Sequence, residues 1–277
     1  MAKSDPMPRR LFDAHNHLSS DDPDGSKMIA HMDRDSVEAM VIMGLPFGSA
    51  RQIRAFNEQT IRVSRAYPDR FVGGVYLDPR KGKKAIDELK RARKRDIRLV
   101  KLFPNLGYFP DDRKVRPFFA AVAKLDMAVL SHCGWLWPQP GHDYASYYSH
   151  PGRFEKVVRL FPDTPFILAH MGGIAGFLET VMLTTRTPNT YVDCSPGQGR
   201  DVLRFAPKIA GSVPPEKLMW GSDGAYGAVS VAKYRRLLTR AGFGPHLKKV
   251  FYQNARGLFD KLGALKPKKT ARKRTRK

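Results

Sequence analysis

Apolar and polar positions along the chain alternate in blocks of two kinds. Short runs rich in Val, Ile, Leu, Met and Phe, with little polar interruption, predict strands buried on both faces at 11–18, 39–46, 70–79, 97–104, 127–134, 165–172, 190–197 and 217–224. Between them apolar residues recur at helical spacing, predicting amphipathic helices at 27–38, 49–67, 82–95, 113–125, 151–161, 174–186, 199–210 and 229–241, with one extra helix at 245–262 packed against the outside. Parallel strands need crossover helices, and eight strands each followed by a helix is the count for an α/β fold of the (β/α)8 TIM barrel type rather than an open sheet. The length of 277 residues suits one such domain with short ends. The expected division is a flexible leader over 1–10, the barrel over 11–262 and a disordered basic tail over 263–277. No linker divides the body, and no internal repeat is visible.

Composition adds exclusions. Hydrophobic residues make up 42% of the chain, yet no apolar run is long enough to span a membrane. The leader MAKSDPMPRR lacks a secretory apolar segment, and Cys133 and Cys194 are too few and too far apart for a disulfide framework, so a reducing cytoplasm is expected. The formal charge is +23; the nine cations from Lys261 onward, with no acid among them, account for nine of it and leave +14 on the body. The tail KPKKTARKRTRK has no apolar periodicity and reads as a solvated extension, with weak nucleic-acid contact as its functional alternative. The cationic helix at 82–95 places Ala85, Ile86, Leu89 and Ala92 on one stripe and carries no interleaved aromatics, so it reads as an outer barrel helix rather than a nucleic-acid face.

The candidate chemistry begins in LFDAHNHL. His15 and His17 stand two positions apart, and on an extended strand both imidazoles face one way and can converge on one ion. Taken alone, such a pair also occurs in ordinary basic loops. His132 ends the fifth strand in VLSHCG, His170 the sixth in ILAHMGG and Asp223 the eighth in MWGSDG. Singly these read as core histidines and a turn aspartate. A barrel brings all its strand ends to one mouth, and four histidines with an aspartate on that rim point to a metal centre. Alternation turns Cys133 away from that rim and Cys194 has no neighbouring signature, so both read as small core residues. GYFPDD and GQGR lack the spacing of a phosphate loop.

On DAHNHL, VKLFPNLGYFPDD, SHCG, LAHMGG, WGSDGAY and the closing VFYQNARGLFD, the chain resembles the amidohydrolase superfamily, and within it the amidohydrolase-2 branch of aminocarboxymuconate-semialdehyde decarboxylases and related lactone hydrolases. The resemblance implies a metal-dependent barrel enzyme in which His15, His17, His132 and Asp223 hold one divalent metal and His170 lies beside its water. In other branches the strand-six histidine is itself a ligand, so the roles of His132 and His170 are open to exchange.

Such a donor set suits Zn2+ first, with Mn2+, Fe2+ or Co2+ fitting the same residues. Asp223 is then expected to take a proton from water, and His170 to orient the resulting hydroxide or relay the proton. Asp13, two residues before His15, is expected one layer deeper as a supporting group or a buried structural acceptor. Lys101 has three readings: a carbamylated bridge between two metals as in binuclear relatives, a salt bridge to a substrate carboxylate, or a structural lysine. With Tyr108 and Trp135 it is assigned to substrate binding. Trp137, His142, Tyr147 and Tyr148 lie on the same two long loops, 105–112 and 135–150, where aromatics either close on a planar acid or pack on each other.

The leading expectation is hydrolysis of an amide, lactone or ester in a small anionic substrate. The alternative is decarboxylation of an unsaturated or aromatic carboxylic acid, and a third reading is a basic nucleic-acid-associated protein on an inherited barrel. The expected partner is a small-molecule carboxylate, lactone or amide, with no membrane; a homodimer is left open.

Overall fold

Eight parallel strands run in sequence order: β1 (Leu11–Asp13), β2 (Val37–Met43), β3 (Phe71–Tyr76), β4 (Leu99–Leu102), β5 (Ala128–Ser131), β6 (Phe166–Leu168), β7 (Thr190–Asp193) and β8 (Leu218–Met219). The structure, a computed structural model, describes residues 6–135, 145–224 and 230–266. First and last strands meet through backbone bonds: Ala14 N donates to Trp220 O at 2.9 Å and Asp223 N to His15 O at 2.7 Å. The result is the expected (β/α)8 barrel. Trp137, His142, the start of the predicted helix at 229 and the tail from 267 fall outside the described residues.

Alternation along the strands explains why their sequences read as unbroken apolar runs. Phe12, Val41, Leu99, Leu130, Ile167 and Met219 fill the interior, while Met40, Ile42, Val100, Leu102, Val129 and Leu168 face the surrounding helices. Those helices are α1 (Ser26–Arg34), α2 (Ala50–Ala66), α3 (Lys83–Arg93), α4 (Arg116–Lys124), α5 (Glu155–Leu160), α6 (Gly173–Arg186), α7 (Gln198–Phe205), α8 (Pro207–Ala210), α9 (Val231–Leu238) and α10 (Asn254–Lys261). Local chemistry sets several boundaries. Ser49 and Gln52 form a reciprocal capping box at the start of α2. Ser36 in the left-handed region ends the first helical stretch earlier than predicted. Pro207 lacks an N–H and splits the predicted helix 199–210 into α7 and α8.

The strands are shorter than predicted, because burial on all sides keeps the sequence apolar after ladder pairing has stopped. The closing helix is also placed differently. Rather than lying against the outside, α10 plugs the N-terminal end of the barrel: Ala255, Leu258 and Phe259 join the interior cluster, and the Phe259 ring stacks on Phe12 at 5.6 Å. An amphipathic stripe fits either position, and the exposed bottom layer of the interior needed a cover. The ends are anchored further out than the expected boundaries. Met7 packs on the core, Leu265 joins the interior cluster and Lys266 N donates to Pro68 O at 2.8 Å.

Candidate metal centre

Beyond the last paired residue of each strand the chain turns inward, and there the predicted residues meet. Gly221 makes the approach of β8 to β1 possible: a Cβ on it would lie 2.7 Å from His15 Cβ and 3.0 Å from His15 N. Asp223 follows at φ 52° and His170 sits at φ 58°, a left-handed conformation that costs a non-glycine residue about 1–3 kcal/mol and collects at functional positions. Met171 beside it shares the positive φ, whereas Gly172 and Gly173, which follow, adopt it without a Cβ.

Asp223 Oδ1 lies 3.3 Å from Nε2 of both His15 and His17. Its other oxygen lies 4.0 Å from His170 Nδ1. His15, His17 and Asp223 thus offer two nitrogens and an oxygen within 4.8 Å of one another, and His15, His170 and Asp193 form a second such group. His132 stands next to this cluster. Its ring stacks on Phe103 at 5.2 Å and meets the His170 ring at 4.9 Å, and its Nε2 is buried without a hydrogen-bond partner. His17 Nδ1 is likewise buried and unpartnered. An orphaned His132 Nε2 beside a convergent N,N,O set is what a divalent cation would satisfy, so the residues fit one.

Electrostatics favour ligands in their deprotonated forms. Burial, helped by the Lys101 charge, pushes His15 down to about 4, and burial next to His170 and Lys101 holds His132 well below its ordinary value. Burial opposes ionisation of Asp223, but the surrounding histidines hold its carboxyl well below the usual range. Lys101 is fully buried, its Nζ 3.0 Å from His15 Nε2, and burial lowers it to about 8 against the pull of Asp223 and Asp193. Burial raises both thiols, Cys133 and Cys194, which leaves them as inert core groups.

Two residues that organise the centre escaped the sequence reading. Asp193, at the end of β7, accepts from His15 Nδ1 at 2.9 Å through Oδ2 and from the His170 and Ser195 backbone N–H groups at 3.1 and 3.0 Å through Oδ1. Ser195 donates its hydroxyl to Asp193, so its oxygen is left to accept from His170 Nδ1 at 2.8 Å. Assigned from these partners, both imidazoles carry their proton on Nδ1, and the lone pair of His15 Nε2 faces Lys101 Nζ at 3.0 Å and Asp223 Oδ1 at 3.3 Å. The signal in the sequence was a strand-end Asp in the same place as His132 and His170. Asp13 takes the structural option: it accepts from Ser222 N at 2.9 Å, His15 N at 3.2 Å, Asn16 Nδ2 at 3.2 Å and the Ser222 hydroxyl, tying β1 to β8.

A cavity of about 430 Å³ opens over the cluster, lined by His17, Lys101, His132, His170 and Asp223 on one side and by Leu18, Leu45, Phe47 and Phe103 on the other. The apolar wall was not predicted. Tyr108 and Trp135 are not part of this lining. Tyr108 is buried beside Arg80, and Trp135 is 66% exposed with its backbone N–H on Gln198. Tyr147 and Tyr148 pack on each other and on Phe109, the self-packing option for these aromatics.

Comparison with known proteins adds family and fold. A family model described as amidohydrolase matches residues 12–261. No curated protein matches the chain. Among solved structures, a probable 2-pyrone-4,6-dicarboxylic acid hydrolase from Acinetobacter baumannii, with citric acid bound, superposes with a TM-score of 0.65 at 18% identity, covering 91% of this chain and 99% of that one. A 5-carboxyvanillate decarboxylase from Sphingomonas paucimobilis gives 0.65 at 16% identity, with coverage of 91% and 99%. An uncharacterized TIM-barrel protein from Bordetella bronchiseptica gives 0.66 at 17%, covering 92% and 99%. No helix among the described residues is long and apolar enough to cross a membrane.

Proposed function

Because the chain belongs to the amidohydrolase family, and is on that ground an enzyme, we propose that it is a metal-dependent hydrolase acting on an amide, lactone or ester bond of a small anionic substrate. The observation that carries this reading is Asp223 Oδ1 at 3.3 Å from Nε2 of both His15 and His17. His15, His17 and Asp223 would hold one divalent ion, Zn2+ first by donor type, with His132 or His170 completing the set. Bound there, the ion supplies Lewis acidity, lowering the pKa of a water from about 15.7 to around 7 and polarising a carbonyl.

The chain's own residues supply the rest. Asp223 directs its second oxygen away from His15 and His17 and can take the proton of a water in the cavity. His170 lines the cavity with its Nδ1–H held by Ser195 and 4.0 Å from the second Asp223 oxygen; it would take up that proton on its other nitrogen by way of the cavity water and return it to the leaving group. Lys101, on the wall of the cavity, is assigned to an anionic oxygen of the substrate. The body charge of +14 steers such a substrate to the mouth.

Decarboxylation is the second reading, favoured by the wall of Leu45, Phe47 and Phe103, which would strip water from a substrate carboxylate. One experiment separates the two. Purified protein is assayed for metal and screened against carboxylates and lactones in H218O, with His15→Ala as the blank. The hydrolase reading expects about one ion per chain, label in the acid product, and loss of both ion and activity in His15→Ala. Carbon dioxide release without label would replace it with the lyase, and full metal occupancy in the blank would overturn both.

A further inference from the structure

The plug α10 covers the N-terminal end of the barrel unevenly. It packs on β1 and β8, and below the strands opposite them lies a cavity of about 1000 Å³, more than twice the 430 Å³ over the metal centre. Residues that lead into β4, β5, β6 and β7, among them Arg98, Met127, Pro165 and Asn189, form one wall, and Leu258, Lys261 and Leu262 close the side toward α10. The walls are braced. Asn189 Nδ2 donates to the carbonyls of Val158, Phe161 and Thr164 at 3.0, 2.8 and 3.0 Å. Lys217 lies over the Tyr191 ring at 4.4 Å and donates to Pro188 O. A concavity held in this way is already formed when a ligand arrives.

Charge sets this cavity apart. Other half-buried arginines of the body are paired, Arg70 with Asp33, Arg91 and Arg95 with Glu58, and Arg256 with Glu38. Arg98 is half-buried too, yet its guanidinium meets no carboxylate and no hydrogen-bond acceptor among the described residues, and its Nε is buried without a partner. Arg93, also in the lining, spends its Nε on Leu125 O at 2.8 Å and keeps its terminal nitrogens. Asp126 and Asp163 border the cavity as well, but both are exposed and neither pairs with these arginines. The recessed charge is therefore positive, and the carboxylates stand in water. Met127, Phe161, Pro165, Tyr191 and Leu258 give the rest of the lining an apolar and aromatic character.

We infer that this cavity binds a small anion carried on a flat ring, with a carboxylate or phosphate on Arg98 and Arg93 and the ring against the apolar wall. A guanidinium without a partner offers two parallel N–H groups, the fork that either anion accepts. An anion without a ring would leave the apolar wall wet, and a ring without charge would leave Arg98 unpaired. The site is separate from the metal centre, which lies at the opposite end of the strands.

Calorimetric titration of the full chain tests this with four probes: 2-naphthoate and AMP, which carry the two kinds of anion on a ring, inorganic phosphate, which has no ring, and 2-naphthol, which has no charge at neutral pH. The expected result is that 2-naphthoate or AMP binds with a Kd below about 100 μM, and that phosphate and 2-naphthol bind at least about tenfold more weakly. The tighter of the two ring anions tells whether the natural ligand is a carboxylate or a phosphate. Arg98→Gln should weaken that probe at least about tenfold, the size of one charged hydrogen-bonding partner, and should leave the melting temperature in place, since the guanidinium holds nothing in the free chain. Arg93→Gln, the second variant, should weaken it as well. A probe that enters the mouth instead would bind both variants as it binds the wild type, so affinity that survives both substitutions overturns the inference. So does the absence of binding by either ring anion at about 1 mM, or phosphate or 2-naphthol binding as tightly as the ring anions.

Discussion

Asp193 is buried and shared between two histidines, so its removal should be felt at both. Burial alone would raise its carboxyl, but His15 and the hydrogen bonds around it hold it well below the ordinary range. Asp193→Asn weakens the acceptor that orients His15, and supporting groups of this kind change metal affinity by about 10–100-fold. Ser195→Ala removes the partner of His170 Nδ1 and one of the hydrogen bonds to Asp193, but leaves the Asp193–His15 bond in place. The expected outcome is therefore a split: metal titration shows weaker binding in Asp193→Asn, while Ser195→Ala keeps its metal and loses kcat. Equal effects on binding in both variants would place His170 among the ligands. Asp13 makes a different prediction, of stability against pH. Burial pushes its carboxyl up to about 6, against the four hydrogen bonds it accepts. Between its ordinary value of 3.8 and about 6 the folded chain keeps a proton that the unfolded chain has released. Its stabilisation is thus complete below 3.8 and is lost as pH rises through 6, by up to about 3 kcal/mol. Urea unfolding from pH 4 to 7 should show the wild type losing stability relative to Asp13→Asn across that window; parallel profiles would refute it.

At the scale of elements the site depends on the seam between β1 and β8. Gly221→Ala would place a methyl group against His15, forcing the strand ends apart. Overpacking of this kind costs about 1–3 kcal/mol, and because His15 moves, metal affinity should fall with it. Denaturant unfolding of the metal-free and metal-loaded variant checks both, and a fully stable variant with native affinity would show that the seam is slack. The same seam shows what the sequence could reveal. All eight strands were legible because parallel strands buried on both faces must be apolar throughout, and His15, His17 and Asp223 stood out as polar residues ending such runs. Asp193 stood in the same kind of place, but a strand-end Asp before Cys194 and Ser195 is ordinary enough to pass unnoticed. Strand ends were invisible because burial outlasts pairing. Tyr108 and Trp135 were assigned to the substrate because they lie on long mouth loops, where no periodicity tells which way a side chain turns. The stripe of α10 was read correctly as amphipathic, but amphipathicity does not say whether a helix covers the flank of a barrel or its floor.

The whole molecule carries its charge in two parts that should act separately. Residues 267–277 hold seven Lys or Arg and no acid, whereas the body spreads its cations over the outside of the barrel with acids among them, as Arg91 and Arg95 are paired with Glu58, and Arg10 and Arg256 with Glu38. A dense run of cations without acids can neutralise several adjacent phosphates at once, which cations dispersed over a barrel cannot. Affinity for duplex DNA should therefore reside in the tail. Each neutralised phosphate contributes about 0.9 to the slope of log affinity against log salt, so truncation after Lys266 should flatten that slope by up to about 6 and weaken binding most at low salt. Turnover of a small substrate should keep its value in the truncated chain, since the mouth lies at the opposite end of the barrel from the α10 plug and Leu265. A slope that survives truncation would put the polyanion contact on the body; a fall in kcat would mean that the tail reaches the site. Salt titration of both chains, with binding and turnover measured in parallel, distinguishes these outcomes.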